Sequence, residues 1–147
     1  MKRYFLIVLV IALFSMPAAA DDWIWGARTG IYIDQGDPFL GIEGLTPITG
    51  QFVFNPNIEW VFSSGGDLAT INADVVYELG NDDEMFWWAG AGLAGVYENF
   101  DGSEFDIGAN LLGGVAWRFG SWEPYAQVKV LFSDATDDVV AGVGIRF

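Results

Sequence analysis

The chain contains no His and no Cys. The commonest general base and the commonest metal ligand are therefore missing, as are thiol chemistry and any disulfide framework. A Ser without a base is a poor nucleophile, so no catalytic residue is assigned and no enzyme is expected. Paired carboxylates could still do acid–base work. Acidic groups do gather in short polar stretches: Asp34 and Asp37; Asp67; Asp101 and Glu104; Asp134, Asp137 and Asp138. Hard cations such as calcium favour carboxylate oxygens, but none of these stretches has the ligand spacing of a calcium loop. Solvated loops are the simpler reading, and no metal site is expected. Gly90-Ala91-Gly92-Leu93-Ala94-Gly95 matches G-x-G-x-x-G. A dinucleotide site would need a helix after that match and an acid about 20 residues on. Here a strand-like pattern continues through Val96 and Tyr97, so the glycines read as space-makers and no cofactor is expected.

A second set of charges lies singly within apolar stretches: Arg28, Glu43, Glu59, Asp74, Glu78, Asp106, Arg118, Glu123, Lys129 and Arg146. Their chemistry is ion pairing, and the elements that must position them can be read from the turn residues. Eight pieces result: Trp23–Asp34, Phe39–Thr46, Gln51–Ser63, Leu68–Leu79, Met85–Glu98, Phe105–Phe119, Trp122–Ser133 and Asp138–Phe147. None shows a helical period. In the sixth, Asp106, Gly108, Asn110, Leu112, Gly114, Ala116 and Arg118 share one parity, against Ile107, Ala109, Leu111, Val115 and Trp117. In the seventh, Glu123, Tyr125, Gln127, Lys129 and Leu131 oppose Pro124, Ala126, Val128, Val130 and Phe132. In the fourth, Thr70, Asn72, Asp74 and Glu78 oppose Ile71, Ala73, Val75, Tyr77 and Leu79. Asn55 and Asn57 keep the parity of Glu59. A strand sends successive side chains to opposite faces, so each piece has one polar and one apolar face.

Residues 1–20 read as a secretory signal peptide. Lys2 and Arg3 are followed by an apolar run, Phe5 to Phe14, and by the small residues Ala18-Ala19-Ala20. An uncleaved N-terminal anchor is the weaker alternative, since the run is short of the roughly 20 residues that a spanning helix needs. The domain proper is then 21–147. It holds all 20 acidic residues and only Arg28, Arg118, Lys129 and Arg146 as cations, a balance that argues against nucleic acid. Yet the chain is 52% apolar and 16% aromatic, with 19 Gly. With no second long apolar run, its one way to cross a membrane is a closed barrel in which every backbone group is paired. The pieces have about the length of tilted spanning strands, roughly 9–11 residues or a little more.

Alternation does not say which face points out. A soluble lipid-carrying barrel keeps its apolar face inside, and a soluble sandwich would share an aromatic core. Two features favour the inverted arrangement. The polar face holds Gly26, Gly30, Gly41, Gly90, Gly92, Gly108, Gly114, Gly142 and Gly144, and an eight-stranded barrel has little interior room. The apolar face carries aromatics at its ends. With both termini on one side, Trp23, Trp25, Tyr77, Trp87, Trp117, Phe119, Trp122 and Phe147 fall at that side, as an aromatic girdle at a membrane interface. Phe62, Tyr97, Phe105 and Phe132 would form a sparser belt opposite.

The eight alternating pieces, the leader and the last strand, Val139-Val140-Ala141-Gly142-Val143-Gly144-Ile145-Arg146-Phe147, resemble the small eight-stranded outer-membrane barrels of the OmpX and OmpA-transmembrane-domain class. The resemblance implies an all-β, antiparallel, up-and-down transmembrane barrel, exported by a Sec-type signal into the outer membrane of a didermic bacterium. It also implies contact with lipid and lipopolysaccharide, and assembly machinery that reads the C-terminal strand ending in Phe147. The intervening loops are shorter than those the class often carries. A monomer is expected, with the ten charges above pointing into the lumen. Arg118, Glu123 and Arg146 should cluster at the periplasmic end, and Arg28, Glu59, Asp74 and Lys129 near mid-height. The function expected is a structural or interaction role in the envelope, with the lumen plugged by the charges. The alternatives are a minimal gated channel for ions or very small solutes, and a soluble periplasmic lipid-binding barrel.

Overall fold

The structure, a computed structural model, describes residues 22–99, 102–134 and 137–147. The expected signal segment 1–20 and Asp101 lie outside the described residues. Eight strands follow in chain order: β1 (Ile24–Tyr32), β2 (Asp37–Thr49), β3 (Phe52–Ser63), β4 (Gly66–Asn81), β5 (Met85–Asn99), β6 (Ser103–Trp117), β7 (Glu123–Ser133) and β8 (Asp138–Arg146). Each pairs antiparallel with the next, and β1 pairs with β8, from Gly26 opposite Arg146 to Tyr32 opposite Val140. The ring is closed, so no strand is left as an edge. We call the end where β1 begins and β8 ends the base, and the other end the tip.

Most strand ends lie within two residues of the sequence reading, and β2 and β4 run further than it expected. It stopped the second strand at Thr46 and put Pro38 and Pro47 in turns, whereas β2 covers both. Pro38 stands opposite Ile31 at the start of the strand, and Pro47 stands opposite Val53 at a register shift. A strand start and a bulge are two places where proline's missing N–H is tolerated. β4 likewise runs past Leu79 to Asn81, through a register shift between Glu78 and Gly80.

The apolar parity faces outward. Leu40, Ile42, Leu79, Leu93, Ile107, Leu111, Val128 and Val143 are exposed, while Lys129 and Arg146 are 1% and 3% exposed. This is the reverse of a soluble lipid-carrying barrel. Gly on the inner face makes room for large neighbours. A Cβ at Gly92 would collide with the Asp74 carboxylate, one at Gly114 with the Trp88 ring, and one at Gly144 with the Tyr125 ring.

The lumen is layered. Toward the tip, Tyr32, Phe39, Val61, Leu68, Ala94, Val96, Leu131 and Val140 form one buried apolar cluster, with the Tyr32 and Phe39 rings edge to face at 5.7 Å. Toward the base, Val76, Phe86, Trp88, Leu112, Ala116 and Tyr125 form another. Between them the buried side chains are polar.

Candidate functional site

The polar layer is built around two glutamates that each face several donors. Glu59 on β3 takes Arg28 Nη2 at 2.6 Å, Lys129 Nζ at 2.7 and 2.8 Å and the Tyr32 hydroxyl at 2.6 Å. Glu43 on β2 takes Arg146 Nε at 3.0 Å, Asn55 Nδ2 at 3.1 Å and Arg28 Nη1 at 3.5 Å. Arg146 also reaches Glu123 at 3.3 Å, and Arg118 Nε lies 4.0 Å from the same carboxylate. The pairs join β1, β2, β3, β7 and β8, and the β3–β7 link crosses the lumen. Charge-assisted bonds of this length compensate the desolvation that isolated buried charges would suffer.

Asparagines extend the network. Asn57 and Asn110 donate to the two oxygens of Asp74 at 2.9 and 3.0 Å. Asn72 donates to Asn57 at 2.9 Å, and Asn110 donates to Asn72 at 2.8 Å. Asn72 reaches the Thr70 hydroxyl, which donates to Glu59 at 3.2 Å. Asp74 thus connects to the ionic chain through amides and a hydroxyl. Three buried cations, Arg28, Lys129 and Arg146, stand against three buried carboxylates of the layer, Glu43, Glu59 and Asp74.

The two clusters expected from sequence are one. Arg118, Glu123 and Arg146 do meet near the base, and Arg28, Glu59 and Lys129 meet at mid-height, but Glu43 bridges them through Arg146 and Arg28. Asp74 makes no ion pair within 4.0 Å among the described residues. Glu78 and Asp106 stay outside the network, half-buried. Asp106 lies six residues tipward of Leu112, the residue opposite Lys129, about 20 Å along the strand. Glu78 stands opposite Trp88, and the Trp88 ring has the Arg146 guanidinium 4.8 Å from its centre. Sequence reasoning missed the role of Asn55, Asn57, Asn72 and Asn110, although their shared parity with Glu59, Asp74 and Asp106 was visible. It also missed both apolar layers. Parity put Leu112, Ala116, Tyr125 and Leu131 on the inner face, but it did not show that they gather into two apolar layers.

Of the aromatics expected at the base, Trp25, Tyr77, Trp87, Trp117, Phe119, Trp122 and Phe147 are exposed on the outer wall. Trp23 is half-buried, stacked on Trp25 at 5.8 Å and lying over Gly44. Trp88, next to Trp87, points inward instead and packs against Tyr125 at 5.7 Å. At the other end Phe62 and Phe132 are exposed, and Tyr97 and Phe105 are half-buried.

Arg146 seals the base of the polar layer. Its guanidinium lies 4.8 Å from the Trp88 ring centre and 4.2 Å from that of Tyr125, so charge and aromatic surface close the lumen together. Among the described residues, no cluster of acids is arranged to hold a metal ion.

No protein-family model matches the chain, and no curated protein matches its sequence. Solved structures match its shape. The N-terminal β-barrel domain of Pseudomonas aeruginosa OprF aligns with a TM-score of 0.74 at 17% identity, covering 85% of this chain and 95% of that one. Neisserial surface protein A aligns at 0.64 and 14% identity, covering 84% of this chain and 94% of its own. The Yersinia pestis outer membrane protein Ail, determined in a phospholipid bilayer nanodisc, aligns at 0.52 and 9% identity, covering 86% of this chain and 100% of that one. Identities this low speak for architecture alone. With its closed antiparallel ring, apolar outer wall and ion-paired middle layer, the chain has the fold of the small eight-stranded outer-membrane barrels.

Proposed function

We propose that this chain is an integral outer-membrane protein with a structural or interaction role in the cell envelope, its lumen plugged and not conducting. The observation that carries this reading is the layered lumen: an ion-paired polar middle between two apolar clusters. A water-filled path would have to break both. The exposed apolar wall supports a lipid surrounding, because a band of such residues in water would drive association. In this reading residues 1–20 direct export, the base faces the periplasm, and the acidic tip faces outward, where lipopolysaccharide and its bridging divalent ions lie. The barrel is a monomer without a catalytic step, and the assembly machinery reads β8 and Phe147.

Purified refolded protein in a planar bilayer tests the proposal. It should be silent, and Lys129→Ala should lower stability without opening a current. Discrete current steps from the unaltered barrel would replace this reading with that of a minimal channel. A mobility shift on gels between unboiled and boiled samples checks the membrane-barrel assignment separately.

A further inference from the structure

The base of the lumen opens into a pocket of about 250 Å³ to which all eight strands or their flanking residues contribute. Its walls are mostly apolar, with Leu45, Val53, Val76 and Phe86 among them. Four charged residues line it: Glu78, Arg118, Glu123 and Arg146. We propose that this mouth binds a small amphipathic organic cation, a protonated amine on a compact apolar body.

The charge that remains uncommitted decides the sign. Arg146 is held by Glu43 and Glu123 at 3.0 and 3.3 Å and lies against the Trp88 and Tyr125 rings. Arg118 approaches Glu123, donates to the Asp82 carbonyl at 3.2 Å and lies 4.4 Å from the Phe86 ring centre. Glu123 is shared between these two cations. Glu78 alone has no ion pair or side-chain hydrogen bond among the described residues, although it lines the same pocket. The exposed acids Asp82, Asp83 and Glu84 sit on the turn beside the mouth. The four lining charges balance in number, two acids against two cations, but both cations are already paired with Glu43 or Glu123, so Glu78 leaves a negative charge in a low-dielectric cleft that draws the opposite charge. The apolar walls then select an amine with a hydrocarbon body over a hydrated metal ion, which keeps its water shell.

The test uses the full refolded barrel in lipid nanodiscs at constant ionic strength. Three probes of similar shape are titrated: 2-phenylethylammonium, the neutral 2-phenylethanol and the anion 3-phenylpropionate. The Trp88 indole resonance reports occupancy. Saturable binding of the ammonium is expected, at least fivefold tighter than that of the alcohol or the acid. Glu78→Gln should weaken it at least fivefold, and Glu84→Gln on the exposed turn should change it less than twofold. A gel-shift check confirms that each variant is folded, and the comparison of the three probes on the unaltered protein needs no variant. Equal or tighter binding of the anion, no saturable binding of the ammonium, or unchanged affinity in folded Glu78→Gln would each overturn the proposal.

Discussion

Lys129 and Glu59 sit 70 residues apart in sequence and on non-neighbouring strands, yet the Lys129 ammonium bonds both oxygens of the Glu59 carboxylate, at 2.8 and 2.7 Å. Both side chains are essentially without solvent. The pair spans the lumen and ties β7 to β3. Glu59 also serves Arg28, Tyr32 and Thr70, which makes it the most heavily used acceptor of the layer.

Removing one member of such a pair leaves a buried charge without its partner. Glu59→Gln and Lys129→Met should each cost about 3–5 kcal/mol, read as a lowered urea midpoint in detergent or lipid. The double variant should cost less than the two single losses added together, because the second change removes the stranded charge.

Adjacent glycines on opposite faces should respond differently. A Cβ at Gly114 would press into the Trp88 ring, whereas the nearest atom to a Cβ at Gly113 is the Trp88 carbonyl at 3.5 Å. Gly114→Ala should destabilise by about 1–3 kcal/mol through overpacking. Gly113→Ala should stay within about 0.5 kcal/mol, as for surface changes away from special features. Equilibrium unfolding of the two variants side by side distinguishes them, and equal costs would contradict the assigned faces.

The outer wall offers a depth test. Val128 is 53% exposed near mid-height and Trp122 is 58% exposed at the base. In a bilayer, Val128→Arg should cost about 2–4 kcal/mol, while Trp122→Arg should lose no more than about 1 kcal/mol through its charge. The difference should shrink when unfolding is measured in a loose detergent micelle.

The tip seal should contribute stability without holding back a current alone. Leu131 and Phe39 are at most 1% exposed. Leu131→Ala should cost about 2–5 kcal/mol and Phe39→Ala about 3–5 kcal/mol by cavity formation. Neither should conduct in a planar bilayer, because the ionic layer and the base cluster remain. Current from either single variant would show that the middle layer is no barrier.

The barrel was legible wherever a strand had one polar and one apolar face. In β6 and β7 the parity of Asp106, Asn110, Gln127 and Lys129 assigned every neighbour to its side. Parity said less about packing. It put Val61, Leu68 and Leu131 on the side of Glu59, Thr70 and Lys129, but not that they gather into one apolar cluster, and Trp87 and Trp88 differ by one position yet lie on opposite sides of the wall. Pairing across the lumen was equally hidden. It depends on the stagger of non-adjacent strands, so Glu43 could be seen as inward but not as the bridge between Arg28 and Arg146. Prolines misled for a different reason: Pro38 and Pro47 carry turn chemistry, but a strand start and a bulge accept them as readily.

The two buried glutamates find their cations on strands from opposite ends of the chain: Glu43 on β2 meets Arg146 on β8, and Glu59 on β3 meets Lys129 on β7. An unfinished sheet lacking its last strands would carry these carboxylates short of their counter-ions, a poor passenger for hydrocarbon. Among the described residues, Arg28 on β1 is the one cation these glutamates meet before β7 and β8 arrive, so in a lipid-spanning barrel ring closure and entry into the bilayer are expected to be coupled.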